Sequence, residues 1–384
     1  MSEWIPTPLG ELVDILDSKR VPLSAAQRSS RKGPYPYYGA QGVIDHIDDF
    51  IFDGRYILVP EDGENLRSRK LPIAYFAEGQ FWVNNHAHII KAKPGVAVDR
   101  FVQSALEATH IGAWVTGAAQ PKLTQANLKQ IPLLIPSLST QHAIAEVLDS
   151  LDGLIENNRR RMEVLEEMAG AIYREWFVKF RYPGHQDVPL VDSALGLVPK
   201  DWEVGRVDSL FLLQRGFDLP LNTRESGTVP VIGASGVLGS HSVAKARGPG
   251  VTTGRSGTVG VVTYVRGDFW PLNTSLWIKE FRLATPKYAF FLLAELDLKR
   301  AASGAAVPTL DRKVVHALPA VCPPTDLIAR WDSAVAPMFE TIDALRAQSD
   351  RATAIRDLLV PKLVTGQIDL SALDLGALVE DQVA

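Results

Sequence analysis

The sequence predicts a mixed α/β (α+β) fold built twice, with two long helices that pair as an antiparallel coiled coil. The first sign is a colinear internal repeat. Gly39-Ala40-Gln41-Gly42-Val43 returns as Gly233-Ala234-Ser235-Gly236-Val237, and Ile57–Gly63 is matched by Val251–Gly257. Gly79-Gln80-Phe81-Trp82 is matched by Gly267-Asp268-Phe269-Trp270, Gly117–Leu123 by Gly304–Leu310, and Trp4 by Trp202. The spacing between partners drifts only where loops absorb insertions. The second sign is a Gly- and Pro-rich part in each copy, and the third is a long apolar ladder that follows it.

In the first part of each copy, short apolar runs bounded by turn residues read as strands: Tyr56–Val59, Phe81–Val83, His88–Lys91 and Val259–Val265. Helical segments at Asp99–His110 and Tyr288–Ala301 interrupt them. The ladder runs through Ile144, Leu148, Leu151, Ile155, Asn158, Met162, Leu165, Ala169, Ile172 and Trp176, spaced alternately four and three apart. Its second copy is Trp331, Val335, Met338, Ile342, Leu345, Ser349, Ala352, Arg356 and Leu359. A four–three spacing held this long is a coiled-coil seam rather than the wider stripe of an ordinary amphipathic helix. At ~1.5 Å per residue the first seam spans about 50 Å. Antiparallel pairing of the two helices relates the copies by a pseudo-two-fold axis. Gly153 and Gly170 weaken the first helix, and Pro337 predicts a kink or a late start in the second. The domains are then 1–138, a helix over 139–182, a linker and second domain over 183–324, a helix over 325–365 and a tail over 366–384.

Composition excludes several classes. The chain has 384 residues, 46% apolar and 22% charged, and one cysteine, Cys322. That rules out a disulfide framework and a Cys-rich zinc site and suits a reducing, cytoplasmic setting. No apolar run suffices to cross a membrane, and the first residues do not read as a signal peptide. Net charge is −4, yet residues 200–324 carry net +5 and residues 325–384 net −5, so the average hides where an anionic partner would sit. No phosphate loop, dinucleotide cradle, metalloprotease pair, nuclease Glu-x-Lys or Asn/Asp-Pro-Pro-Tyr segment is present. His86 and His88, two apart on a strand, read as polar strand-end residues more readily than as metal ligands. Cys322, Trp82 and Trp270 read as core.

The ordered set of segments resembles the specificity subunit of Type I restriction–modification systems over nearly the whole chain. The resemblance rests on Val198-Pro199-Lys200-Asp201-Trp202-Glu203, Val229–Gly236, Thr253–Gly260, the Gly-x-x-x-Pro-x-Leu segments and Leu363-Val364-Thr365-Gly366-Gln367-Ile368. It implies two target recognition domains, each reading half of a bipartite site on double-stranded DNA. It implies paired helices that set the spacing and dock two methyltransferase (modification) subunits, which ATP-dependent restriction subunits join. The chain itself would be non-catalytic and hold no cofactor, with S-adenosylmethionine, ATP and magnesium on its partners. The alternatives are a specificity subunit of a methylation-only or fused system, or a coiled-coil adaptor that binds no DNA.

DNA reading needs cationic and amide side chains on exposed loops. The candidates in the first domain are Lys19, Arg20, Arg28, Arg31 and Lys32, then Arg67, Arg69 and Lys70. In the second they are Arg215, Arg224, Lys245, Arg247 and Arg255. Basic residues are expected at corresponding points of both copies. Arg255 is the foremost candidate, because Gly254 and Gly257 around it would let the backbone approach DNA. The first copy has the acidic Pro60-Glu61-Asp62-Gly63 there, so the two domains are expected to read different sequences. Tyr35, Tyr37 and Tyr38 either stack on sugars or meet a thymine methyl group, or are strand residues entering the core.

Overall fold

A computed structural model describes residues 4–304, 308–368 and 370. Residues 305–307 of the second Gly-x-x-x-Pro-x-Leu segment and nearly all of the expected tail lie outside the described residues. The chain divides into two compact units, one of residues 1–159 and 346–384 and the other of residues 160–345. Each unit therefore draws on part of both long helices.

The first unit holds a four-stranded antiparallel sheet in the order Val13–Ile15, Ala87–Ala92, Tyr56–Pro60, Tyr75–Ala77. The second unit repeats it as Phe211–Arg215, Ser275–Phe281, Gly250–Gly254, Val262–Val265. Register is repeated as well as order. Leu58 pairs with Ile89 and Val59 with His88, while Thr252 pairs with Trp277 and Thr253 with Leu276. A second sheet in each unit joins a hairpin to a parallel strand, with Tyr37 opposite Trp82 and Val231 opposite Trp270. A two-stranded ribbon pairs Ile5 with Ile135 in one unit and Glu203 with Cys322 in the other. Chance similarity would not preserve cross-strand partners, because a slip of one residue reverses every side chain. The repeat read from the sequence is a repeat of structure.

Local chemistry explains the shared turns. Gly42 and Gly236 sit at φ +111° and +109°, where a side chain is rarely tolerated, and they turn the equivalent hairpins. Thr124 and Asp311 cap the equivalent short helices Gln125–Gln130 and Arg312–Ala317 by accepting backbone N–H bonds. Trp82 and Trp270 are buried, as is Tyr37, whereas Tyr35 and Tyr38 are half-buried on the same strand. Cys322 is buried, and that burial pushes its thiol above the ordinary range. The expected helices end earlier than read, as Asp99–Ala108 and Pro286–Glu295, and the strand expected over Val259–Val265 begins later, as Val262–Val265. The second helix stops at Glu295 because Leu296 is extended.

The long helices are Leu138–Tyr173 and Thr325–Val364. A π-helical turn, Arg174–Val178, continues the first. Every ladder residue is buried or half-buried. In the first unit Asp152 meets Arg356 and Asn158 meets Gln348, so partner numbers rise on one helix and fall on the other. In the second unit Leu165 lies beside Thr341 and Tyr173 against Trp331, the same antiparallel sense. The late start expected at Pro337 is not found, because the helix begins at Thr325 and runs through the proline. A proline in a helix interior costs ~3 kcal/mol. Trp331, Val335, Phe339 and Ile342 around it are buried, each contributing about 1.5–3 kcal/mol, and that exceeds the penalty. Gly170 admits the Phe291 ring, which would stand 3.1 Å from an added Cβ.

Each helix portion belongs to the core of its own unit. Ile144, Leu148 and Leu363 pack with Leu9, Ile57, Ile90 and Phe101. Trp331, Val335, Tyr173 and Phe177 pack with Phe211, Leu276, Tyr288 and Phe291.

Candidate nucleic-acid interface

The strands of each unit end in turns that carry most of the basic candidates, and the structure sorts those residues by what already holds them. In the first unit Arg20 is nearly enclosed. Its guanidinium donates to Glu61 at 2.8 Å and to the carbonyls of Asn85 and Ala87, and it lies 3.5 Å from Asp17. Arg28 pairs with Asp45 and covers the Tyr37 ring, and Lys32 meets the same carboxylate. Arg31 pairs with Asp48 and Asp49 while lying 5.1 Å over Trp82. The five-charge cluster is thus largely neutralised by carboxylates from the facing hairpin, leaving Lys19 exposed without a described partner.

Arg67 donates to the carbonyls of Gly117 and Ala118, and Arg69 to those of Thr109 and Glu107. Both fasten loops of their own unit. Lys70 stays exposed at the rim of a cleft that it shares with Arg69, Arg100 and Arg356.

The second unit is more open. Arg224 donates to the Leu238 carbonyl, and Lys245 lies 5.4 Å over Trp270, the counterpart of Arg31 over Trp82. Arg247 is exposed. Arg215 and Arg255 line one cleft of about 420 Å³ together with Arg312, which the sequence reading did not single out. Gly254 has an internal reason to be glycine: an added Cβ would fall 1.8 Å from the Thr258 carbonyl oxygen and 2.5 Å from that of Ala234. The expectation that it admits DNA is replaced by close packing of the chain on itself. Strand register puts Arg255 in the place of Glu61, as the sequence reading had it, and Arg215 in the place of Asp17, where the expectation of basic residues at corresponding points fails.

Acid–base character follows these contacts. Burial pushes the Asp17 carboxyl up, but the hydrogen bond and charge of His88, the Ile89 N–H and Arg20 hold it below its ordinary value. Glu61 is likewise held low against burial by Arg20, His88 and Lys122. His88 is buried between Asp17 at 2.6 Å and the Leu123 carbonyl at 2.8 Å, while His86 meets Asp62 instead. The two histidines therefore do not converge on a common point.

A further set of arginines was not legible in the sequence. Arg100 reaches Asp152 at 2.5 Å, Arg356 reaches the same carboxylate at 2.9 Å, and Arg55 reaches Asp149. In the second unit Arg266 binds Asp343 and the Phe339 carbonyl. Arg55, Arg100 and Arg266 tie the sheet-bearing part of each unit to its own helix portions, and Arg356 ties the two helix portions of the first unit to each other. Their partners are tens of residues away in sequence, so no local signal announces them.

Residues 1–167 match the family of Type I restriction modification DNA specificity domains. A putative type I restriction enzyme specificity subunit of Haemophilus influenzae is 35% identical over 153 residues, which is 40% of this chain and 38% of that relative. The MjaIX specificity subunit of Methanocaldococcus jannaschii is 25% identical over 341 residues, 81% of this chain and 79% of that one. The crystal structure of the Type I restriction-modification S subunit from M. genitalium superposes with a TM-score of 0.56 at 18% identity, covering 94% of this chain and 96% of that one. That is a likeness of fold.

Proposed function

We propose that this chain is a Type I restriction enzyme specificity subunit, as the proteins it resembles are, and that each of its two units reads one half of a bipartite site on double-stranded DNA. The observation that carries this reading is the register-for-register repeat of one fold with different side chains at the same places. Two copies of one scaffold present two different sets of donors, and a single DNA half-site is read by one such set. The exposed cations Lys19, Lys70, Arg215, Lys245 and Arg247, together with the half-buried Arg255, are the residues offered to DNA. Arg20, Arg28, Arg31, Lys32, Arg67, Arg69 and Arg224 mainly shape the loops that carry them.

The paired helices, in this reading, set the distance between half-sites and dock two methyltransferase subunits, with restriction subunits joining the complex. The chain contributes recognition and no bond-making chemistry. S-adenosylmethionine, ATP and magnesium act on the partner subunits. Among the described residues no helix is long and apolar enough to cross a membrane.

The test is reconstitution. The purified chain alone is expected to transfer no methyl groups and hydrolyse no nucleotide, and to confer site-specific adenine methylation once a modification subunit is added. Methyl transfer by the rigorously pure chain would contradict the proposal, as would a mixture with the same methylation pattern when the chain is left out.

A further inference from the structure

Because the two units share strand register, one place can be compared in both. Asp17, two residues beyond the edge strand Val13–Ile15, corresponds to Arg215, the last residue of the edge strand Phe211–Arg215, and the two have the equivalent neighbours His88 and Leu276. Arg20 corresponds to Asp218, Glu61 to Arg255, and Lys122, Thr124 and Gln125 to Thr309, Asp311 and Arg312. The backbone of the central pair is held identically. Glu61 N–H donates to the His86 carbonyl and Arg255 N–H to that of Thr274, while Leu123 and Leu310 donate back to Glu61 and Arg255.

The charges at this place are exchanged. In the first unit they cancel: Arg20 and Lys122 converge on Glu61, Arg20 also lies against Asp17, and Gln125 reaches Asp17. In the second unit Arg215, Arg255 and Arg312 line the open cleft. The carboxylate of Asp218 accepts from the Asn273 amide and that of Asp311 caps the Lys313 N–H. Neither carboxylate pairs with an arginine among the described residues. Even the anchoring point is shared, because Arg20 Nη1 donates to the Asn85 carbonyl at 3.3 Å and Arg255 Nη1 to the equivalent Asn273 carbonyl at 3.4 Å.

We propose that the Arg215–Arg255–Arg312 cleft of the second unit seats a phosphate of the DNA backbone, and that the first unit, whose cleft is closed by its own Glu61 and Asp17, seats none there. The proposal rests on the DNA-recognition reading above and adds to it an asymmetry between the units and a residue, Arg312. Glu61 supplies internally the two oxygens that Arg20 and Lys122 bind, Oε2 and Oε1. The second unit places Arg255 at that location, and the one carboxylate that lines its cleft, Asp311, accepts from the Lys313 N–H of its own helix and pairs with no arginine among the described residues. Three guanidiniums around one cleft repel one another until an anion enters, and their planar forks match phosphate oxygens.

The experiment uses the full chain assembled with its modification subunits and a fluorescent mixed-sequence DNA duplex of about 30 base pairs, titrated from about 50 to 200 mM salt. Arg215→Ala and Arg312→Ala are each expected to weaken binding evenly across unrelated duplexes and to reduce the salt slope by about 1. Lys122→Ala in the first unit, and Lys200→Ala, an exposed cation outside the cleft, are expected to leave the slope unchanged. Slopes equal to the parent's in both arginine variants would overturn the phosphate seat, as would a loss confined to particular sequences. An equal loss from Lys200→Ala would reduce the effect to bulk charge and overturn it too. A parent complex that binds no duplex would overturn the DNA-recognition reading along with it, which separates the two failures.

Discussion

Arg20 and Arg255 are both arginines that a reader of loops would select for DNA, yet their surroundings differ. Arg20 is spent on Glu61 and Asp17, whereas Arg255 makes a single long contact to a backbone carbonyl. Replacing Arg255 with Ala should therefore leave thermal stability nearly unchanged and alter DNA binding. If its fork meets a guanine, the change costs about 1–3 kcal/mol and relaxes one position of a half-site; against phosphate alone, affinity falls evenly over all sequences. Arg20→Ala is expected to act the other way, lowering stability because it removes one cationic partner from both Glu61 and Asp17. Differential melting of the two variants checks this ordering. The pH dependence follows from the same contacts. Asp17 and Glu61 have folded-state values depressed below 3.8 and 4.5. Their contribution is thus fully present above those ordinary values and is lost as pH falls through the lower folded ones. Asp17→Asn should flatten the acid limb of the stability curve, measured by denaturant unfolding between about pH 5 and pH 2. A limb as steep as the parent's would remove Asp17 from this account. These distinctions were not legible in the sequence, because Arg28 and Arg31 find their carboxylates 17 residues away and Arg20 finds Glu61 41 residues away. A run of charges announces positive residues and says nothing of the hairpin that neutralises them.

At the scale of elements, the four–three ladder was legible because helix spacing and apolar identity are both local properties. Leu345 and Ile342 are buried and Leu165 half-buried, as a seam requires. Pro337 left a kink and a late start both open for the opposite reason: its penalty is local, while the packing of Trp331, Val335 and Phe339 that outweighs it and excludes the late start is not. Burying an unpaired carboxylate in place of Leu345 should cost about 3 kcal/mol, and in place of Leu165, which keeps some contact with water, about 2 kcal/mol. Chemical denaturation of Leu345→Asp and Leu165→Asp measures the order, and co-purification with a modification subunit measures whether assembly is lost with it. An unchanged midpoint in both variants would contradict a packed helix pair. The salt bridges from Arg100 and Arg356 to Asp152 bear on the same element, since one carboxylate holds both. Asp152→Ala leaves two guanidiniums without their shared partner and should destabilise more than either arginine substitution alone.

For the whole molecule, the repeat was readable because glycines and prolines at turns persist through divergence, and the offsets between them mapped onto paired strands. What the repeat could not convey was that each compact unit takes a segment of both long helices, an arrangement set by tertiary packing. The central claim is that recognition is divided between two units of one fold. The most direct measurement is the methylome of cells that express a modification subunit with this chain, compared with the same cells carrying a version whose residues 200–324 come from another specificity subunit. The account predicts a bipartite methylated sequence in which one half is rewritten while the other half and the spacing between them are kept. Rewriting of both halves together, or of neither, would contradict it.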